Sequence, residues 1–113
     1  MPFEDLEVWK RAVRLSGELY KGMRDLRDYG FRDQLTRAGL SVASNIAEGM
    51  ERESAADKAR HLTIARSSCG EVRTQIHIGI DVGYIDQEIG HRWIKETQEI
   101  SAMLVGLGRS IKG

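Results

Sequence analysis

Along most of this chain, apolar residues recur every three or four positions, with polar residues filling the intervals. That period keeps one stripe on one face of an α-helix. From about Asp5 to Leu26 the stripe reads Leu6, Trp9, Val13, Ser16, Tyr20 and Met23, widened by Ala12, Leu15, Leu19 and Leu26. The stretch "RDYG" breaks it. A second segment runs from about Phe31 to Gly49, with Phe31, Leu35, Ala38, Val42, Ala43 and Ile46 in its stripe. Gly49 reads as its stop, because glycine accepts the left-handed conformation that ends many helices. A third segment opens at Ser54, in the capping-like run "SAAD", and carries Leu62, Ala65, Cys69, Val72, Ile76 and Gly79 to an end near Gly83. Asp86 then caps a fourth segment, whose apolar face is Ile89, Trp93, Ile100, Leu104, Leu107 and Ile111.

The sequence has no alternating run flanked by hairpin dipeptides, so it reads as all-α. Helices of roughly 20–28 residues span about 30–40 Å each. Short links make sequential neighbours antiparallel, and the simplest arrangement is an up-down-up-down four-helix bundle. The 113 residues fit one domain, 1–113, with 41% hydrophobic and 30% charged residues. Gly70, Gly79 and Gly83 point to places where helices approach closely.

Charge narrows the functional classes. Seventeen basic residues balance seventeen acidic ones. They are also evenly spread, with 8 and 7 in residues 1–40, 5 and 5 in 41–80, and 4 and 5 in 81–113. No basic block is present to grip phosphates. Cys69 is the single cysteine, so no disulfide framework forms within the chain, in keeping with a reducing cytoplasm. The opening "MPFEDLEVWK" lacks a signal-peptide pattern, and no run approaches the length of a membrane span.

The second segment carries unusual polarity for a helix with a small-residue stripe: Arg37, Ser41, Ser44, Asn45 and Glu48. Ser41, Asn45 and Glu48 share a face, and Arg37 lies four before Ser41. Two readings stand. In one, Asn45 and Glu48 bond across to Arg66, Ser67 or Ser68, or to an open helix end, in a buried network that fixes register. In the other, the same residues form a ligand or RNA site. A helix-one set, Arg11, Arg14, Lys21 and Arg24, supplies candidate nucleic-acid contacts; the alternative is a solvated surface paired with Glu7, Glu18, Asp25 and Asp28. Trp9, Tyr20 and Trp93 fall at core-like positions, which leaves no aromatic stacking platform.

Catalytic and metal chemistry find little support. Glu88 and His91 have the spacing of a di-iron pair, but neither His61 nor His77 has a glutamate three residues before it. Ser67, Ser68 and Cys69 lack a triad or nucleophile turn around them. No cofactor, metal site or catalytic residue is expected.

"FEDLEVWKRAVRLSGELY", "YGFRDQLTRAGLSVASNIAEGMERES", "HLTIARSSCGEVRTQI" and "GYID" together resemble the four-helix-bundle family of 23S ribosomal RNA intervening-sequence proteins. The Ser-x-x-x-Asn-Ile-Ala-Glu-Gly run is its most distinctive part. The resemblance implies a bacterial four-helix bundle that assembles as a homopentamer, and it implies no enzyme activity; a cytoplasmic location is expected from the lone cysteine. It also extends to the accessory variability determinant of diversity-generating retroelements, a strongly basic bundle that works with nucleic acid. The chain departs from the family in lacking the Phe-Pro before the second helix, where "RDLRDYG" stands, and from the basic branch in its zero net charge. The expected function is therefore that of a homo-oligomeric accessory protein holding RNA or DNA weakly. The alternative is a scaffold for a protein partner.

Overall fold

The computed structural model describes residues 2–112. A 3-10 turn over Phe3–Asp5 leads through Leu6, whose backbone is extended, into α1 (Glu7–Gly22). Then follow α2 (Tyr29–Glu51), α3 (Ala55–Asp81) and α4 (Gln87–Lys112). No strand forms among the described residues. Each helix packs against its two neighbours around a square, α2 and α3 sharing the most extensive interface, in an antiparallel four-helix bundle of 44 × 21 × 21 Å.

Polar caps set most boundaries. Ser54 accepts from Asp57 N at 3.1 Å, and Asp86 Oδ2 accepts from Glu88 N and Ile89 N, both at 3.1 Å, as the sequence predicts. Asp28 does the same for α2, accepting from Phe31 N. With Asp28 committed to the next helix, α1 stops at Gly22, and Met23–Leu26 form turns instead of the predicted last helical turn.

Gly49 does not end α2. The helix continues to Glu51, and the carbonyl of Met50 is satisfied by Lys58 Nζ at 3.1 Å. Gly49 is instead a point of close approach: a Cβ there would lie 3.0 Å from His61 Cβ and 3.3 Å from the Lys58 carbonyl oxygen. Gly79 likewise packs under Ile85 and Phe31, whereas Gly70 faces open space and Gly83 is the one residue with positive φ, +83°, among those described.

Leu19, Leu35, Ile46, Ile76, Ile100 and Leu104 are fully enclosed, each contributing about 1.5–3 kcal/mol of burial. On α1 the buried stripe is Val8, Ala12, Leu15, Leu19 and Met23. It shares Ala12, Leu15, Leu19 and Met23 with the predicted stripe but is rotated from that stripe's centre, so Val13 and Tyr20 are exposed and Trp9 is half-buried. Both patterns have helical spacing; the side chains of α2 and α4 that meet α1 decide between them. Trp93 is buried as expected, with its indole N–H donating to Glu18 Oε1 at 2.9 Å.

Candidate functional site

The polar run of α2 does form a network with α3. Asn45 Nδ2 donates to the Ser41 carbonyl at 2.9 Å and to Ser41 Oγ at 3.0 Å. Ser68 Oγ donates to Ser41 Oγ at 2.9 Å. Asn45 Oδ1 faces His61 Nδ1 at 3.2 Å, and Glu48 Oε2 lies 3.6 Å from the same nitrogen. Arg52 reaches Glu48 from the next turn, at 3.8 Å. One chain of polar contacts therefore crosses the α2–α3 interface from Ser68 to Arg52.

The membership of that chain differs from the predicted set. Ser41, Asn45 and Glu48 belong to it, and Ser68 is the expected cross-partner. Arg66 and Ser67 are exposed and make none of its hydrogen bonds; Ser44 and Arg37 also lie on the surface. His61 was missed, though it is 6% exposed and sits at the centre. One sequence signal was available: His61 lies seven before Ser68, on the same face of α3.

The network's chemistry is that of a joint. No hydroxyl lies against an imidazole nitrogen, because His61 Nδ1 faces an amide oxygen and Nε2 is enclosed without a partner. Cys69 is fully buried, and burial pushes its thiol up, an effect the Ser101 hydroxyl partly offsets. It is therefore a protonated packing residue, not a thiolate. Among the described residues, no group of three or more His, Cys, Asp or Glu is placed to hold a metal ion.

The helix-one cations divide. Arg11 is held by α4: its Nε donates to Glu96 Oε2 at 2.8 Å, and its terminal nitrogen bonds Glu96 Oε1 and, at 2.6 Å, Glu99 Oε1. These bonds raise the Arg11 guanidinium further above its ordinary range, and Arg11 in turn holds the Glu99 carboxyl below the usual carboxylate range. Arg11 is thus a structural clamp between α1 and α4. Arg14 lies in a cleft with Glu18, Arg92 and Glu96. Lys21 and Arg24 are exposed. Arg24 lines a different groove, with Tyr20, Arg32, Asp33 and Thr36, at the end of the bundle where α1 passes to α2.

Compared with known proteins, residues 4–106 match the family described as 23S rRNA-intervening sequence protein. Among solved structures, the chain is similar to a protein of unknown function from the S23 ribosomal protein family of Bacteroides thetaiotaomicron. The TM-score is 0.84 and the identity 23%, over 89% of this chain and 97% of that one. No curated protein matches.

Proposed function

The chain belongs to the 23S rRNA-intervening sequence protein family, and from that premise we propose that it is a non-enzymatic, self-assembling bundle, a cytoplasmic ring of five that associates with nucleic acid. The supporting observation is the presence of exposed apolar side chains on two separate faces. On α3, Ile64, Ile78 and Val82 share one face and are 39%, 49% and 53% exposed. On the α1–α2 side, Val13 and Leu40 are 42% and 48% exposed. Leu40 lies about 100° round the helix from Ser41, which faces α3. The polar outer face of α2 therefore separates the two patches.

Two unlike patches suit a ring. An isologous contact pairs a patch with itself, which an odd-numbered ring cannot use throughout; five subunits close only by joining two different patches head to tail. Leu15 and Ile94 are buried in the bundle and take no part. The non-enzymatic reading is supported by the α2–α3 network, whose hydroxyls, amide and imidazole bond chiefly to one another.

Light scattering should give five chains for the intact protein. Leu40→Asp and Ile78→Asp should each leave monomers. Mixed together, they retain one intact patch of each kind and should form a one-to-one dimer. A wild-type monomer at micromolar concentration overturns the ring. Mixed variants that stay monomeric overturn this pairing of patches.

A further inference from the structure

All three tyrosines are exposed, Tyr20 at 48%, Tyr29 at 59% and Tyr84 at 39%. They gather at the end of the bundle that carries the α1–α2 and α3–α4 connections. Tyr84 is tied down there: its hydroxyl donates to Asp28 Oδ2 at 2.9 Å, and its ring meets Phe31 edge-on at 5.3 Å between centroids. Tyr29 is covered on one face by the Arg32 guanidinium, 4.6 Å from the ring centre. Tyr20 has neither kind of partner among the described residues, and it forms a wall of a groove of about 390 Å³ with Arg24, Arg32, Asp33 and Thr36.

The groove's hydrogen-bonding capacity is largely unspent. Arg32 gives only its Nε, to Asp33 at 3.3 Å, so its terminal nitrogens have no hydrogen-bond partner among the described residues. Arg24 makes no ion pair among them. The Thr36 hydroxyl donates to the Arg32 carbonyl at 2.8 Å and keeps its lone pairs free to accept. An exposed aromatic wall beside two available guanidinium groups is the combination that holds an unpaired base by stacking and its phosphate by forked hydrogen bonds.

We propose that the Tyr20–Arg24–Arg32 groove binds single-stranded nucleic acid, with a base stacked on Tyr20 and the adjoining phosphate on the two arginines. This inference rests on the nucleic-acid association proposed above and gives it a place. A duplex hides its base faces and cannot use Tyr20. Asp33 repels phosphate from its own wall, which directs the phosphate toward Arg24. Residues 20–33 hold Lys21, Arg24, Arg27 and Arg32 against Asp25, Asp28 and Asp33, so the attraction is local and short-ranged. The groove lies two turns along α1 from Val13, so strand binding and ring closure use different residues.

The test is fluorescence anisotropy of a short labelled oligoadenylate with the full chain, over a salt series starting low. Tyr20→Ala should weaken binding about 5- to 150-fold, the range expected for losing one base–aromatic stack. Tyr20→Phe should bind like wild type. Arg24→Gln should flatten the log–log salt slope by about 0.7, one phosphate contact on a single strand. A duplex should bind more weakly than the single strand. Arg66→Gln with Arg109→Gln, on the α3–α4 seam, removes two positive charges elsewhere and should leave the Tyr20-dependent component intact. Circular dichroism and light scattering establish that each variant keeps its helices and its assembly state. Wild-type affinity in Tyr20→Ala, or an equal loss in the α3–α4 control alone, overturns the groove while the association stands. No binding by the wild type at low salt overturns both and leaves a protein partner as the occupant of this end.

Discussion

Removing the Asn45 side chain tests whether the α2–α3 network holds the bundle together. Asn45 makes three contacts: two donated to Ser41 and one facing His61. The Ser41 carbonyl already has a helical environment, so its loss is slight. The larger effect falls on His61, which is 6% exposed and whose Nε2 is already enclosed without a partner. After Asn45→Ala, the polar side chain left facing Nδ1 among the described residues is the Glu48 carboxylate at 3.6 Å, beyond a good hydrogen bond. An unsatisfied buried polar group costs about 1–3 kcal/mol. For a domain of this size that is a fall of roughly 4–15 °C in Tm. Thermal denaturation followed by circular dichroism reads it, at one fixed protein concentration so that any self-association acts on wild type and variant alike. His61→Leu in the Asn45→Ala background removes both polar partners, so the double variant should recover much of the loss. A Tm for Asn45→Ala within a degree of wild type, or strictly additive losses in the pair, would refute the network as a source of stability.

Two further outcomes follow from the packing. The Glu99 carboxyl is held below its ordinary range by Arg11, so its stabilising contribution is complete above that range and disappears as pH falls through the lowered folded-state value. Glu99→Gln should therefore melt below wild type at neutral pH, with the gap closing only below about pH 4, in a Tm-against-pH series; a gap independent of pH would exclude the carboxylate as its source. Gly49→Ala places a Cβ 3.0 Å from His61 Cβ and 3.3 Å from a backbone carbonyl, neither of which is a flexible tip. It should destabilise by about 1 kcal/mol or more in urea unfolding, although alanine is intrinsically the better helix former by about that amount; a stabilised variant would show that α2 and α3 separate easily.

The number of helices, their order and two of their N-terminal caps were legible because each rests on local chemistry. Ser54 and Asp86 cap their own next turns, and a period of three to four leaves few alternatives to a helix. Rotation about the helix axis is a different matter. On α1, two interleaved sets both satisfy the period: Leu6, Trp9, Val13 and Tyr20 on one side and Val8, Ala12, Leu15 and Leu19 on the other, with the buried Ser16 between them. Their centres lie some tens of degrees apart, and only neighbouring helices choose between them. Gly49 posed a similar ambiguity, since a glycine near a helix end serves equally as a stop or as a contact. The Lys58 side chain that caps Met50 decides this, and it comes from the next helix.

The same rotation accounts for what was missed at the two candidate sites. Reading Tyr20 as core removed an unencumbered aromatic wall from consideration, and with it the groove that Arg24 and Arg32 line. Reading Arg11, Arg14, Lys21 and Arg24 as candidate phosphate contacts counted Arg11 as available, although two glutamates of α4, more than 80 residues away, already hold it. Cross-helix pairing is invisible to i, i+4 counting, so a stripe of cations in a sequence overstates what remains free for phosphate. In a chain with zero net charge this distinction matters, since the positions of the unpaired cations set any affinity. On α1, the turn that ends the helix at Gly22 and the burial of Leu19 instead of Tyr20 together leave Arg24 and Tyr20 beside Arg32. The groove is thus a consequence of where α1 stops and which way it faces.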